Sequence, residues 1–114
     1  MARKKKKKKK STRPAKHQNP LARIRERFSE GRYRDTRHAS DRKSERTITL
    51  PEIRQVITGG YHEKRKDEYK PEHKAWNYAV RGKTVDEKDL RIAVSFDEED
   101  SLLIITAIDT ELDD

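Results

Sequence analysis

Residues 90–108 read LRIAVSFDEEDSLLIITAI, and this stretch decides the fold. In its first seven residues, large apolar side chains alternate with other side chains, which predicts a strand with one buried and one open face. Residues 102–108 are apolar on both faces except at Thr106, as is typical of a strand inside a sheet. The acidic residues 97–101 between them predict a hairpin loop. The stretch is therefore interpreted as an antiparallel pair of strands.

Two further strands are predicted on the N-terminal side of this pair. Trp76, Tyr78 and Val80 alternate with smaller or polar residues, which predicts a strand with one buried face. The charged segment from Tyr61 to Tyr69 predicts an edge strand, where charges discourage pairing with other molecules. Together these strands make a four-stranded antiparallel sheet.

Three helices are predicted. The clearest begins at Thr49, which forms a capping box with Glu52 and is followed by an apolar stripe that ends at Gly59-Gly60. A short basic helix over residues 19–32 starts at Asn19-Pro20 and stops at Gly31, and its apolar side chains are Leu21, Ile24 and Phe28. This helix either docks on the domain or is available to a partner. Another helix is predicted from about Thr36 to Arg46.

The order of these elements predicts an α+β fold, with the N-terminal helices packed on one face of the four-stranded antiparallel sheet. The predicted organisation is a disordered basic arm at 1–18, an amphipathic basic helix at 19–32 and a small α+β domain at 33–110, followed by a frayed acidic tail. Most of the core is predicted to come from Leu50, Ile53, Ile57, Trp76, Tyr78, Val80, Leu90, Ile92, Val94, Phe96, Leu102 and Ile104.

Charge is distributed unevenly along the 114 residues. The chain carries 29 Lys and Arg against 21 Asp and Glu, and residues 1–46 alone have a net charge of +14. Such an arm neutralises phosphates and releases counterions, which predicts attachment to RNA, DNA or ribosomes. The alternative is a tail that only keeps the protein in solution. The predicted nucleic-acid-binding residues are Lys4, Lys5, Lys6, Lys7, Lys8, Lys9, Lys10, Arg13, Lys16 and Arg46.

Several classes of site are absent from the sequence. There is no cysteine, so disulfides and thiolate metal sites are excluded, and the four histidines lack metal-ligand spacing. Gly59-Gly60 lacks the other residues of a nucleotide-binding loop. We therefore predict no metal and no cofactor. No apolar stretch is long enough to span a membrane, and a cytoplasmic location is expected.

Histidine and arginine residues are the remaining candidates for chemistry. Cleavage of RNA through the 2′-hydroxyl needs a base, an acid and cations that stabilise the developing charge, and these residue types can supply all three. The predicted catalytic residues are His38, Arg42, Arg81 and Arg91, with Arg81 and Arg91 on the open face of the sheet. Two functions therefore stay open: a metal-independent endoribonuclease, or a non-enzymatic module that binds RNA, DNA or ribosomes. The alternative for each residue is that it is a solvated charge with no functional role.

A series of motifs runs through the domain in this order: His38-Ala39, Arg42, Arg46, Ile48, Gly59-Gly60, Arg81-Gly82, the strand residues 91–94 and the strand residues 104–107. With these motifs, the chain resembles the family named domain of unknown function 4258 over roughly residues 33–108. That family is similar in architecture to the RelE-like and MqsR-like ribonuclease toxins of bacteria. The resemblance implies a toxin-like protein with RNA as substrate and an antitoxin protein as partner. By position, its motif residues here are His38, Arg42, Arg46, Arg81, Arg91 and Thr106.

Overall fold

The computed structural model describes residues 13–37 and 47–113. Residues 1–12, 38–46 and 114 lie outside the described residues. The predictions for Lys4–Lys10, for His38, Arg42 and Arg46, and for most of the helix predicted from Thr36 to Arg46 therefore fall outside the described part of the chain.

The described residues form one mixed sheet of six strands. The strands are β1 (Tyr33–Asp35), β2 (Tyr61–His62), β3 (Glu68–Lys70), β4 (Ala75–Lys83), β5 (Asp89–Phe96) and β6 (Leu102–Asp109). The order across the sheet is β1-β6-β5-β4-β2, and β3 pairs with β4 further along the same edge as β2. Strand β1 is parallel to β6, whereas the other pairings are antiparallel.

Within residues 13–37 and 47–113, the helices include α1 (Pro20–Ser29), α2 (Leu50–Gly59) and the short α3 (Thr110–Asp113), and a 3-10 turn lies at Lys64–Lys66. The predicted caps are confirmed: Asn19 accepts from the Ala22 N–H, and Thr49 and Glu52 form the capping box. None of the helices in the described residues has the length and apolar character needed to cross a membrane.

Helices α1 and α2 share one hydrophobic core with the sheet. Ile24 and Phe28 of α1 are buried, so this helix is docked on the domain. In the predicted core, Leu50, Trp76 and Phe96 are partly buried, and the other nine residues are buried. Gly60 allows the end of α2 to approach β4, because a Cβ at this position would overlap the carbonyl oxygens of Val56 and Arg81.

The four-stranded antiparallel sheet is the main error of the sequence analysis. Strand β1 was missed because three residues are too few to show a periodicity, and its parallel pairing depends on β6, more than sixty residues away in the chain. The single edge strand predicted from Tyr61 to Tyr69 is divided into β2 and β3 by the 3-10 turn. The residues after Asp109 form a helical turn, with Thr110 buried, where a frayed tail was predicted.

Residues 13–18, which the sequence assigns to the arm, lie against the domain. The Trp76 indole N–H donates to the Pro14 carbonyl oxygen at 2.9 Å, and the His17 backbone N–H donates to the Tyr78 hydroxyl at 3.0 Å. Lys16 forms a 2.6 Å ion pair with Asp67. Residues 14–17, which lie inside the arm predicted for residues 1–18, thus contact the sheet.

Candidate functional site

The strand register places Arg81 and Arg91 side by side. Arg81 in β4 is directly opposite Arg91 in β5, and the neighbouring Val80, Leu90 and Ile92 point into the core. Alternation along the strands therefore turns both guanidinium groups to the sheet face that faces away from α2. Their side chains are 19% and 12% exposed. The two predicted arginines are therefore brought together.

Glu63 joins these two arginines. It follows β2, and its side chain is only 4% exposed. Arg91 donates from Nε to Glu63 Oε1 at 2.7 Å and from Nη2 to Oε2 at 3.2 Å. Arg81 donates from Nη1 to Oε2 at 2.9 Å. One buried carboxylate therefore fixes the positions of both cations.

Asp89 and Thr110 complete the surroundings of Arg81. Arg81 donates from Nε to Asp89 Oδ1 at 2.7 Å and from Nη2 to Asp89 Oδ2 at 3.0 Å, a two-pronged pair. Its Nη2 also lies 3.4 Å from the Thr110 hydroxyl, which donates to the Asp89 carbonyl oxygen. Since Arg81 engages Asp89, Glu63 and Thr110 at once, its guanidinium is committed to the protein.

The pKa values reflect these contacts. The hydrogen bond from Arg91 lowers the pKa of Glu63 below its ordinary value, although burial opposes the shift. The hydrogen bond from Arg81 likewise lowers the pKa of Asp89, and the bond to Asp89 raises the pKa of Arg81. Both carboxylates and the Arg81 guanidinium are therefore ionised at neutral pH. Glu63 and Asp89 thus hold the two guanidinium groups through direct hydrogen bonds.

A second titratable cluster surrounds Asp67, whose side chain is 1% exposed. Asp67 accepts from the Ala79 backbone N–H at 2.9 Å and lies 2.7 Å from His62 Nε2. Lys16 contacts the same carboxylate oxygen. Because a carboxylate accepts hydrogen bonds, His62 carries its proton on Nε2 here. The cluster fastens the N-terminal segment to the gap between β2 and β3.

The predicted site residues divide into three groups. Arg81 and Arg91 converge through Glu63, and Thr106 lies opposite Ala93 in the adjacent strand. Arg13 and Lys16 lie together over the Trp76 ring, apart from the arginine cluster. The remaining predicted residues lie outside the described part of the chain.

Sequence reasoning missed Glu63 and Asp89. Both stand among other charged residues, and nothing in the local spacing distinguishes Glu63 from the nearby Glu68. The only available signal was that Asp89 is followed by an alternating strand containing Arg91. Within residues 13–37 and 47–113, no three His, Asp or Glu side chains are grouped so as to hold a metal ion.

Residues 36–109 match the model of a family described as a domain of unknown function, DUF4258. The chain belongs to the DUF4258 family. The DUF4258 match includes Glu63, Arg81, Asp89 and Arg91, whereas the docked segment at 13–18 and α1 precede it. No curated protein and no solved structure matches the chain.

Proposed function

We propose that this protein is a metal-independent endoribonuclease that resembles bacterial type II toxins. The observation that supports the proposal is the pair of adjacent arginines, Arg81 and Arg91, fixed by the buried Glu63 carboxylate. Preorganised cations stabilise charge that develops in a transition state, because they need no reorganisation when the reaction occurs.

The reaction is a transesterification within the RNA strand. The 2′-oxygen attacks the neighbouring phosphorus while its proton passes to a general base. The bond from phosphorus to the 5′-oxygen breaks, and that oxygen receives a proton from a general acid. The products are a 2′,3′-cyclic phosphate and a 5′-hydroxyl end, and nothing is oxidised or reduced.

Arg81 and Arg91 are both proposed as fixed cations that stabilise the charge developing on the phosphate. Glu63 is a positioning residue, since it is buried and binds both arginines. From the sequence, His38 is the proposed acid or base and Arg42 a further cation.

The test is cleavage of a fluorescently labelled RNA oligonucleotide in the presence of a chelator. We expect cyclic-phosphate products from the full chain and a loss on the order of 100-fold or more in rate for Arg91→Ala. Lys83→Ala is the matched control, because Lys83 ends the same strand as Arg81 but is 65% exposed. Intact RNA after incubation with the full chain, with chelator or with Mg²⁺, would overturn the proposal. Equal rates for Arg91→Ala and Lys83→Ala would remove Arg91 from the mechanism.

The second candidate is a non-enzymatic RNA-, DNA- or ribosome-binding module, which is favoured by the basic N-terminal segment anchored at Pro14 and Lys16. In this case RNA is retained without cleavage. Deleting residues 2–12 should flatten the dependence of affinity on salt, by a slope of about 0.7 for each single-strand phosphate that the arm no longer neutralises. Equal slopes for the two chains would exclude a binding role for the arm.

The protein partner that we propose is an antitoxin that covers basic residues of this chain, Arg42 or Arg46 among them, with acidic and apolar residues. Co-purification with the product of an adjacent gene, and loss of ribonuclease activity in that complex, is the expected result. An active complex would contradict the proposal.

A further inference from the structure

A row of three side chains crosses the sheet face that faces away from α2. Tyr61 in β2 is directly opposite Arg81 in β4, and Arg81 is directly opposite Arg91 in β5. Residues directly opposite each other in antiparallel strands point to the same face, so the Tyr61 ring lies on the side that carries both guanidinium groups. Since neighbouring strands are about 4.8 Å apart, Tyr61 and Arg91 are separated by roughly 10 Å at the backbone.

Tyr61 is the exposed member of this row. It is 56% exposed, whereas the side chains of Arg81 and Arg91 are 19% and 12% exposed. Within residues 13–37 and 47–113, no second ring and no cation is stacked on the Tyr61 ring. The ring therefore offers a stacking surface beside two fixed cations.

A cavity of about 450 Å³ opens between Tyr61 and the 3-10 turn that follows β2. It is lined by Tyr61, His62, Glu63, Lys64, Arg65 and Arg81. Glu63 is the acidic residue of this lining, and its carboxylate is already hydrogen-bonded to Arg81 and Arg91. The cavity therefore presents an excess of positive charge to a ligand.

Two cations of the 3-10 turn, Lys64 and Arg65, are exposed at the rim of this cavity. The Lys64 side chain forms no ion pair within the described part of the chain. Arg65 is 77% exposed, and its Nη2 lies 3.7 Å from Glu63 Oε2. A guanidinium has five N–H groups, so Arg65 keeps this contact and still presents donors to a second anion. Binding of a phosphate at this rim therefore breaks no existing contact.

From this arrangement we infer that Tyr61, Lys64 and Arg65 hold the nucleotide next to the reacting phosphate of a single-stranded RNA. Its base stacks on the Tyr61 ring, and its own phosphate lies between Lys64 and Arg65. Every base has a π-face, so the ring holds the strand without selecting a sequence, while the cations fix the backbone. A duplex has its bases already stacked and cannot use the ring in this way.

The inference rests on the proposed ribonuclease, because it assigns the residues that bring the reacting phosphate to the arginines. Tyr61 and Arg81 are cross-strand neighbours, so a base held on the ring places the next phosphate of the strand beside the two guanidinium groups. The stacked nucleotide is held equally before and during the reaction. Loss of this contact should therefore raise KM and leave kcat nearly unchanged.

Binding is tested apart from cleavage with labelled 2′-O-methyl oligouridine, which lacks the free 2′-hydroxyl that the proposed reaction needs. The full chain is titrated in about 0.3 M NaCl, because salt weakens the contribution of the basic N-terminal run. Tyr61→Ala should weaken binding by about 5- to 100-fold, as expected for the loss of one base–ring contact. Tyr61→Phe is the matched control, since it keeps the ring and should bind as the wild type does.

Lys64→Ala tests the phosphate contact. Its matched control is Lys66→Ala, because Lys66 belongs to the same 3-10 turn but does not line the cavity. Lys64→Ala should weaken binding and reduce the slope of log affinity against log salt by about 0.7, the value for one single-strand phosphate contact. Lys66→Ala should leave the slope as it is in the wild type.

Cleavage of unmodified RNA separates this inference from the proposed function. Tyr61→Ala should raise KM by about the factor by which it weakens oligouridine binding. Equal oligouridine affinity of Tyr61→Ala and Tyr61→Phe, with folding verified by thermal unfolding, would overturn the inference even where the wild type cleaves RNA. If Tyr61→Ala does not fold, equal salt slopes for Lys64→Ala and Lys66→Ala are the contradicting result. Intact RNA together with the expected losses of binding would count against the ribonuclease and leave the nucleotide site in place.

Discussion

Glu63 and Asp100 are two carboxylates that each accept hydrogen bonds from two arginines. Glu63 holds Arg81 and Arg91, and all three side chains are at most 19% exposed. Asp100, in the loop between β5 and β6, holds Arg23 and Arg27 of α1, but its side chain is 40% exposed. Both clusters pair a carboxylate with two guanidinium groups, but water reaches the Asp100 carboxylate and not that of Glu63.

This difference determines what each cluster contributes. At Asp100, water screens the charges, so the ion pairs add little to the docking of α1, which buries Ile24 and Phe28 in any case. At Glu63, removing the carboxylate would take a buried charge partner from two poorly hydrated guanidinium groups, although Asp89 still pairs with Arg81. A buried carboxylate between two arginines therefore sets side-chain positions, whereas an exposed one mainly joins surfaces that already pack.

The largest effect is expected for Glu63→Gln. The amide keeps the shape of the side chain but removes the charge that compensates Arg81 and Arg91. We expect a loss of about 3 kcal/mol in the free energy of unfolding, measured by urea denaturation at neutral pH. A loss below that of Asp100→Asn would show that burial does not separate the two clusters.

The charge of Glu63 should also make the free energy of unfolding depend on pH. Since Arg91 lowers the pKa of Glu63 in the folded protein, the stabilisation from its charge is complete above the unfolded value of about 4.3. It is lost as the pH falls through the lower folded pKa. Wild type and Glu63→Gln should therefore differ widely in urea midpoint at pH 7 and converge as the pH falls from about 4 through the folded pKa of Glu63. A constant difference across that range would contradict the assignment.

A smaller effect is expected for Asp100→Asn. Asp100 has a φ of 65°, in the left-handed region, and asparagine tolerates this conformation well, so backbone strain does not enter the comparison. The loss in the free energy of unfolding should be about 1 kcal/mol or less, because the Asp100 carboxylate is 40% exposed and water screens its charge. A loss as large as that of Glu63→Gln would mean that the Asp100 pairs, and not Ile24 and Phe28, hold α1 in place.

The smallest expected effect is the change that salt makes to the loss of stability in these two variants. At about 1 M NaCl the screening length is roughly 3 Å, so the remaining effect of Asp100→Asn should disappear. The effect of Glu63→Gln should persist, because salt ions do not reach the space between its partners. Urea denaturation of both variants in low and high salt measures this. Equal salt sensitivity would show that the Glu63 cluster is open to solvent.

How far the sequence predicts this molecule depends on the range of the interaction involved. The α2 helix is encoded between Thr49 and Gly60, by a capping box, an apolar stripe and a close-packed glycine, so its limits were predicted correctly. The alternation from Leu90 to Phe96 likewise predicted β5 and its buried face. Strand β1 was missed because its partner is remote in the chain.

In the candidate site too, features set by local sequence were predicted, whereas contacts between remote residues were not. The alternating pattern of β4 and β5 was enough to place Arg81 and Arg91 on the same face of the sheet, although their side chains are largely buried there. Their carboxylate partner could not be predicted, because Glu63 approaches them only after the edge strand has paired with β4.

The sequence by itself determined the elements whose signals are local: caps, apolar periodicity, the hairpin loop and the basic N-terminal run. The tertiary structure alone decided which charges meet. Hydrogen bonding between strands sets the register, and the register brought Arg81 opposite Arg91 and left Glu63 buried between them. It also placed Trp76 opposite Tyr69, where Arg13 and Lys16 lie over their rings. The physical reason is that ion pairs and ring contacts depend on distances in space, which a linear pattern of residues does not contain.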